Sequence, residues 1–367
     1  MALRRDLHNV LKAFGPDIIF VHNILCLPLH AAATVALTQL LRDTQIPCIA
    51  IHHDILSEGA YKFRATCAFA QQLLDTYYPP RMSNVMHWTI NTRNQRALAQ
   101  RGIEASVIHD TIEFDRTLEE PERSRIRQSL RKRFDLKPSD IVLLLGARIV
   151  PNKQVELAGH ITAEINRLRH RLDGRRLATG ATFDRESQVT LVLAGRPERA
   201  FEEYRKKVYR LFDEMRIRWI YAGDVVRSIR SEADGLYALY PDMYSMADLV
   251  IYPTRWEGFG NQLIEAFAAG LPTIVFEYPV FKEDIGPKGF SVVSLADKVL
   301  QEFDKLGLVQ IPEPVLARAA AEAVDMLCDP EKYRAVADHN SKVGGHCFGF
   351  GVLQDHLSTS LQWAMLS

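Results

Sequence analysis

The stretch "YPTRWEGFGNQLIEAFAAGLPTIVF", residues 252–276, decides the fold of the second half of this chain. An apolar run, "ADLVIYPT", precedes the glycine-rich turn "EGFG". Asn261 is the expected N-cap of a helix that runs to about Ala269, where Gly270 and Pro272 end it. A second apolar run, "PTIVFE", follows at once. This order of strand, turn, helix and strand is typical of parallel α/β architecture.

The same alternation covers most of the chain. Expected strands lie at 17–23, 47–54, 86–91, 105–110, 141–147, 189–195, 218–224, 247–254 and 272–277, with helical segments between them. The charged segment 118–140 separates two series of strands, and the polar stretch 170–188 is interpreted as a surface insertion. The sequence therefore predicts an α/β protein of two Rossmann-like domains facing a cleft. Residues 1–117 form the N-terminal domain, joined by a C-terminal helix at 341–367, and residues 118–340 form the C-terminal domain.

Composition excludes several classes of protein. Of 367 residues, 47% are hydrophobic, which is enough for two domain cores. Basic and acidic residues are equal at 45 each, which argues against a general nucleic-acid binder but leaves room for a local basic pocket. The five cysteines are far apart, as reduced thiols of a cytosolic protein would be. We find no apolar run of the roughly 18 residues that a membrane helix needs. We therefore expect a cytoplasmic protein with no transmembrane segment and no nucleic-acid partner.

Two glutamates, Glu257 and Glu265, flank the glycine-rich turn. Carboxylate pairs serve as acid and base in glycosidases, but such a pair can equally hold a ligand. Their spacing is common by chance, so it does not decide between these roles. The strand, turn and helix around the pair are the stronger signal.

Two cations follow the first strand of the second domain, in "LLLGARIVPNKQVELA". Arg148 lies past the carboxyl end of this strand and Lys153 at the start of the next helix, where anions bind in open parallel sheets. A forked guanidinium and a point-charge ammonium would suit a diphosphate. The alternative, a pair of solvated surface cations, stays open on these residues alone.

These motifs together resemble a known family. The run "ADLVIYPTRWEGFGNQLIEAFAAGLPTIV" resembles the donor-binding signature of glycosyltransferase family 4, retaining enzymes of the GT-B fold. "GARIVPNKQVELA" is similar to the family's Gly-Arg-(x)4-Lys element. In the first domain, "PDIIFVHN" and "IPCIAIHHD" resemble family strands that end in His and in His-Asp, whereas "VIHDTIEFD" departs from the usual Pro-Asn-Gly turn.

The resemblance implies roles for the matched residues. Arg148 and Lys153 would hold the diphosphate of a nucleotide sugar, and Glu265 would bind the ribose. Glu257 would hold the transferred sugar and serve catalysis. The donor set is completed by the turn and the start of the helix: Gly258, Phe259, Gly260 and Asn261.

On the acceptor side the resemblance implies a catalytic position for His53, near the anomeric carbon. His22, Asp54 and Lys282 are further acceptor-side residues. His22 and His52 could instead be half-buried residues at strand ends. Lys282 could instead be a solvated lysine of a loop.

Family membership would imply a retaining hexosyltransferase that moves a sugar from a nucleotide sugar to a small-molecule or glycan acceptor. The acceptor hydroxyl would attack from the leaving-group face while a phosphate oxygen takes its proton, so no glycosidase-type carboxylate pair is needed. We see no clustered Asp-x-Asp, and we expect neither a metal nor a cofactor.

The first domain begins with "ALRRDLHNVLKAFG" just ahead of "PDIIFVHN", where the family has further strands and a glycine-rich turn. We therefore expect a truncated N-terminal domain with an uncovered sheet edge, which favours a homo-oligomer or a partner chain. The alternative function is then a catalytically incomplete sugar-nucleotide-binding subunit. An NAD-dependent oxidoreductase is a remote alternative, because no G-x-G-x-x-G opens a helix after the first strand.

Overall fold

A computed structural model describes residues 2–56, 63–114, 121–227, 241–296 and 303–366. The chain divides into two compact units, Met1–Thr111 with Phe350–Ser367, and Ile112–Gly349. The sequence-based boundary at residue 117 lies outside the described residues, and the division falls at 111/112. The second division falls at 349/350, where the sequence analysis has 340/341. Each unit contains one parallel sheet, which confirms the expected α/β class.

The first unit holds a four-stranded parallel sheet in the order β1-β2-β3-β4. Its strands are β1 (Ile19–His22), β2 (Cys48–His52), β3 (Val85–Thr89) and β4 (Ser106–Val107). Its helices are α1 (Ala2–Phe14), α2 (Ala31–Thr44), α3 (Ala68–Tyr77), α4 (Thr92–Gln100) and α13 (Phe350–Leu366). Strands β1, β2 and β4 lie within the predicted runs, and β3 begins one residue before the predicted run 86–91. Because they are parallel, their carboxyl ends share one edge, where His22 pairs with Ile51 and His52 with Thr89.

The second unit holds a six-stranded parallel sheet in the order β10-β9-β8-β5-β6-β7. Its strands are β5 (Ile141–Leu145), β6 (Val189–Leu193), β7 (Arg218–Tyr221), β8 (Leu249–Tyr252), β9 (Thr273–Phe276) and β10 (Val293–Ala296). Its helices are α5 (Glu122–Arg133), α6 (Val155–Arg167), α7 (Arg169–Leu172), α8 (Glu202–Glu214), α9 (Asp242–Met246), α10 (Asn261–Ala268), α11 (Glu313–Leu327) and α12 (Pro330–Phe348). The edge strand β10 is the one that the sequence analysis missed, since its short run is only half buried.

Strand β5 shows why this sheet is covered on both faces. Ile141, Leu143 and Leu145 pack in one cluster with α6, α8 and α11. Val142 and Leu144 point to the opposite face and pack with α5 and α9. A strand buried on both faces reads as a continuous apolar run, which is the pattern in "IVLLL".

The order of the strands reverses beside β5, because β6 lies on one side of it and β8 on the other. In open α/β sheets the crevice at such a reversal, outside the carboxyl ends of the strands, is where ligands bind. The loops after β5 and β8 carry the two donor motifs. The fold thus places both motifs at the expected edge.

The stretch 170–188 is more than a surface insertion, and that interpretation was wrong in part. Arg176 and Thr182 form an antiparallel bridge, and the side chains of Leu177 and Phe183 are buried in the core of the second unit. Polar residues alternate with these two anchors, which hid them in the sequence. The hairpin therefore docks on the core and leaves its charged residues exposed.

Candidate active site

The loop after β5 presents the two predicted cations in different ways. The Arg148 side chain is 61% exposed and its guanidinium forms an ion pair with Glu198. Lys153 ends a short 3-10 turn, Pro151–Lys153, and is only 3% exposed. Its ammonium forms an ion pair with the carboxylate of Glu257. The structure thus brings together the lysine of one donor motif and the first glutamate of the other.

Burial, and then the charge of Arg148, lower the pKa of the Lys153 ammonium to about 7. The Glu257 carboxylate opposes this shift, since an adjacent negative charge stabilises the ammonium. A diphosphate at the same place would stabilise it further. The charged form of Lys153 therefore depends on a negative group beside it, such as Glu257 or a bound diphosphate.

Backbone contacts clamp the two donor loops to each other. Arg255 donates its backbone N–H to the Asn152 carbonyl at 2.9 Å, and the Asn152 side chain donates to the Trp256 carbonyl at 3.2 Å. Both bonds join Asn152, directly before Lys153, to the two residues before Glu257. The geometry between the loops is consequently set by the backbone as well as by the ion pair.

Two buried tyrosines hold the glycine-rich turn from below. The Tyr252 hydroxyl donates to Glu257 Oε2 at 3.2 Å, and the Tyr278 hydroxyl donates to the carbonyl of Phe259. Gly260 has a φ of +130°, and a Cβ there would lie 2.1 Å from the Tyr278 hydroxyl oxygen. Glycine is required at this position by both the backbone angle and the space. The turn after Trp256 is therefore pre-formed.

Helix α10 begins at Asn261, and its N-cap is Gly260, which makes no side-chain capping bond. The expectation that Asn261 caps this helix was wrong, because the chain enters through the special conformation of Gly260. Asn261 is instead exposed in the first turn. Glu265 lies one turn further and accepts a 2.8 Å hydrogen bond from the Tyr244 hydroxyl, while burial raises the pKa of its carboxyl group.

In the first unit, His53 follows β2 at the carboxyl edge of the sheet. Its backbone N–H donates to Asn23 Oδ1 at 2.8 Å, and its carbonyl accepts from the Asn94 side chain at 3.3 Å. Its Nδ1 lies 3.7 Å from Asp110 Oδ1, and the side chain is 36% exposed. The backbone of His53 is thus fixed while its ring stays accessible.

Beneath His53, the rings of His52 and His87 are stacked and buried. His52 Nε2 lies 2.9 Å from His87 Nδ1. His87 also bonds the backbone of Pro80, which offers only a carbonyl, so His87 donates there and its Nδ1 accepts from His52. The remaining nitrogen of His52, Nδ1, has no hydrogen-bond partner among the described residues. Burial lowers the pKa of His52 to about 3 and that of His87 to about 4, so both rings are neutral.

The remaining acceptor-side residues are more loosely placed. His22 ends β1 and is exposed, with its ring centre 6.1 Å from that of His53. The half-buried interpretation of His22 and His52 was therefore wrong for both, since His22 is exposed and His52 is fully buried. Asp54 is also exposed. Lys282 lies in the second unit, exposed on the π-helical turn Phe281–Ile285 after β9.

Sequence reasoning missed the residues that support the site. These are the hydroxyl donors Tyr244, Tyr252 and Tyr278, the loop clamp Asn152, and the carboxylates Glu198 and Asp110. Tyr252 and Tyr278 did carry a signal, since both stand before a proline where an apolar run ends, in "IYPT" and "FEYP". The others depend on partners distant in the sequence.

Within the described part of the chain, no group of three His, Cys, Asp or Glu side chains is placed to hold a metal ion. The expectation of metal-independent chemistry stays a prediction. A search of the same residues finds no helix long and apolar enough to cross a membrane.

Comparison with known proteins agrees with the site. Residues 143–305, which contain both donor loops, match the family described as glycosyl transferases group 1. The chain is 33% identical to mannosylglucosylglycerate synthase of Thermotoga maritima over 355 residues, which is 96% of this chain and 77% of that protein. The chain belongs to the group 1 glycosyltransferases. It is therefore a glycosyltransferase, as the donor motifs predict.

Two further comparisons concern a second relative and a solved structure. The mannosylglucosylglycerate synthase of Petrotoga mobilis is 29% identical over 345 residues, covering 94% of this chain and 78% of that protein. The crystal structure of Anabaena HepE in complex with UDP and glucose covers 97% of this chain and 80% of that chain, with a TM-score of 0.59 and 16% identity. At that identity the likeness shows the fold alone, and the fold is the expected GT-B type.

Proposed function

We propose that this glycosyltransferase moves a hexosyl group from a nucleoside diphosphate sugar to an acceptor hydroxyl, with retention of anomeric configuration. The observation that carries the proposal is the buried ammonium of Lys153, which forms an ion pair with the half-buried Glu257 beside the pre-formed glycine-rich turn. A buried ammonium within reach of main-chain amides suits a dianionic leaving group.

When the donor binds at the carboxyl edge of the second sheet, Arg148 and Lys153 change their anionic partners. In the free protein the charges of Arg148 and Lys153 are each held by a carboxylate, Glu198 and Glu257. The diphosphate replaces Glu198 on Arg148 and shares Lys153 with Glu257. Glu257 then orients the hydroxyls of the transferred sugar.

The nucleoside lies against the start of α10. Glu265 accepts hydrogen bonds from the ribose hydroxyls, and the Tyr244 hydroxyl fixes the rotamer of its carboxylate. Because burial favours its protonated form, a ribose that donates to Glu265 stabilises the carboxylate. The amides of Gly258, Phe259 and Gly260 complete the phosphate contacts.

The transfer step follows from charge. As the bond between the anomeric carbon and the phosphate oxygen breaks, its electron pair moves to the diphosphate, where Lys153 and Arg148 stabilise it. The acceptor hydroxyl forms the new bond on the same face of the sugar and gives its proton to the departing phosphate oxygen. We assign His53 to catalysis on the acceptor side, with His22, Asp54 and Lys282 as weaker acceptor-side candidates.

The two named relatives suggest the first substrates to test. Both are called mannosylglucosylglycerate synthases, so their product contains mannosyl, glucosyl and glycerate groups. We propose mannosyl transfer to glucosylglycerate, a carboxylated acceptor, as the starting assay.

The experiment is a matrix of uridine, guanosine and adenosine diphosphate mannose and glucose, each with and without glucosylglycerate. We expect one donor to be consumed with release of its nucleoside diphosphate, and NMR of the product to show the anomeric configuration of the donor. An inverted product would contradict retention. Nucleotide binding without turnover by the purified protein would instead favour the alternative function, a sugar-nucleotide-binding subunit that needs a partner chain.

A further inference from the structure

A second cavity lies at the opposite edge of the second sheet from the donor motifs. It encloses about 800 Å³ beside the starts of β6 and β7 and the ends of α6 and α8. Small-molecule sites typically enclose about 300–1,000 Å³. The donor loops follow the carboxyl ends of the strands, so this cavity is a separate place in the same unit.

The lining of this cavity is strongly basic. Its charged residues are six cations, Lys137, Arg167, Arg169, Arg185, Arg216 and Arg218, and one carboxylate, Glu186. The whole chain has equal numbers of basic and acidic residues, so the excess is local. A cluster of one sign raises the local concentration of ligands of the other sign.

Another cavity of similar size shows that this excess is not general. It encloses about 870 Å³ near the start of α12. Its charged residues are nearly balanced, with four cations (Arg175, Arg176, Lys332, Arg334) and three carboxylates (Asp325, Asp329, Glu331). A cavity of similar volume in this protein is therefore not necessarily lined by an excess of basic residues.

Four of the six cations in the basic cavity already have carboxylate partners. The pairs are Lys137–Glu186 at 2.8 Å, Arg167–Glu164 at 2.8 Å, Arg218–Asp140 at 3.3 Å and Arg169–Asp173 at 3.8 Å. These partners fix the walls of the cavity and neutralise much of the charge there. The charge available to a ligand resides in the other two cations.

Those two are Arg185 and Arg216, both exposed. Neither guanidinium has an ion pair or a hydrogen bond to any residue that the structure describes. Arg216 also has a φ of +53°, just after the end of α8. Glycine is the usual residue at such a helix end, and arginine is less favourable there. Arg216 lines the cavity directly after the end of α8.

We infer that this basic cavity binds a small soluble molecule that carries phosphate groups, with Arg185 and Arg216 as its direct ligands. Each planar guanidinium places two N–H groups on phosphate oxygens. The four paired cations, held by their carboxylate partners, form the walls around these two arginines. This site is distinct from the donor site and does not depend on which sugar the enzyme transfers.

The test is isothermal titration calorimetry with inorganic pyrophosphate in the full chain carrying Lys153→Gln, which weakens the donor site. We expect binding to persist in this background and to weaken about tenfold to a hundredfold on adding Arg185→Gln and Arg216→Gln together, because each charge-assisted contact is worth roughly a factor of ten. The matched control is Arg64→Gln with Lys342→Gln, which removes two exposed charges outside the cavity and leaves affinity unchanged. Arg185→Lys with Arg216→Lys keeps the charge and should give an intermediate affinity, and unliganded melting curves verify folding.

Three outcomes would overturn the inference. One is the absence of pyrophosphate binding in the Lys153→Gln background. Another is equal loss of affinity in the cavity variant and in the matched control. The third is binding to phosphatidic acid vesicles, dependent on Arg185 and Arg216, without binding of free pyrophosphate, which would assign the arginines to a lipid surface.

Discussion

The carboxyl edges of the two sheets both carry candidate site residues, but they hold them differently. In the second unit Lys153 is buried against Glu257, and the turn beside them is fixed by hydroxyl and backbone bonds. In the first unit the ring of His53 is 36% exposed and lies 3.7 Å from Asp110. The first of these edges is pre-formed, and the second keeps its side chains accessible. This difference fits a diphosphate shared by all donors of the class and acceptors that vary.

The support beneath each edge also differs. Tyr252 and Tyr278 lie at the ends of β8 and β9, and their hydroxyls donate hydrogen bonds to Glu257 and to the carbonyl of Phe259 in the glycine-rich turn. His52 and His87 lie under His53 and bond mainly to each other. The tyrosines constrain the groups proposed to touch substrate, whereas the histidines constrain the sheet. Substitutions at the two edges should therefore produce different kinds of loss.

The largest expected effect is at Gly260. Gly260→Ala places a Cβ 2.1 Å from the Tyr278 hydroxyl oxygen at a φ of +130°. We expect the free energy of unfolding to fall by about 2–5 kcal/mol, from overpacking and backbone strain together, and donor binding to weaken with it. Urea denaturation and nucleotide titration measure the two effects.

Gly270→Ala is the control for Gly260→Ala. Gly270 also has a positive φ, of +67°, but nothing lies within 4 Å of the added Cβ. It should cost only the backbone strain, about 1–2 kcal/mol, with donor affinity intact. Equal losses in the two variants would show that the turn is not sterically locked.

The next largest expected effect is a loss of turnover in Lys153→Gln. Lys153→Gln keeps a polar side chain but removes the charge proposed to stabilise the leaving diphosphate. We expect turnover of the preferred donor to fall about 10²–10³-fold, the usual cost of losing one transition-state electrostatic contact.

His53→Gln should lower turnover while leaving nucleoside diphosphate affinity unchanged, since His53 belongs to the carboxyl edge of the first sheet. If His53→Gln weakened nucleotide binding as much as Lys153→Gln does, the assignment of the two edges would be wrong.

The sequence predicted most of what depends on local pattern. The buried strands appear as apolar runs, and the donor loops follow as a strand, glycine turn and helix. This local pattern placed Lys153, Glu257 and Glu265 at one edge of the sheet, whereas their donor roles came from the family resemblance. The pairing of Tyr252 with Glu257 and of Tyr278 with Phe259 needed three dimensions, because hydroxyl direction is not written in a linear pattern. The assignment of Asn261 as N-cap failed because the backbone conformation of Gly260, with its φ of +130°, is not visible in the sequence.

In the first unit, the sequence could not predict which of the histidine side chains are buried. His52 and His53 are neighbours with similar sequence surroundings, yet one ring is fully buried and the other accessible. Adjacent strand residues point to opposite faces, but which face is covered depends on the packing of helices. The interaction of His52 with His87, which are 35 residues apart, could not be read from either run.

Acid should destabilise the first unit through this pair. The folded pKa values of His52 and His87 are about 3 and about 4, below the unfolded value near 6.5, so the unfolded chain binds more protons between these limits. Stability from the neutral pair is complete above pH 6.5 and is lost as the pH falls toward 4, by up to about 1.4 kcal/mol per pH unit for each proton. Urea unfolding at pH 7.5, 6.0 and 5.0 measures this slope.

His87→Gln serves as the comparison for the acid effect. It removes one titrating ring and should reduce the dependence of stability on pH relative to the unchanged chain, even if it lowers stability at every pH. An unchanged slope would mean that the pair is not the acid-sensitive element of the first unit.

The smallest expected effect concerns the second ion pair of the donor edge. Arg148 and Glu198 have side-chain exposures of 61% and 36%, and such exposed pairs contribute about 0–1 kcal/mol. In the proposed binding mode the diphosphate displaces Glu198 from Arg148, so Glu198→Gln should tighten donor binding, by at most about fivefold. Glu257→Gln should do the opposite, because Glu257 is proposed to bind the sugar as well as Lys153. A weaker donor affinity in Glu198→Gln would mean that Glu198 positions Arg148 for the ligand, and both cations of this edge would then be pre-organised by a carboxylate.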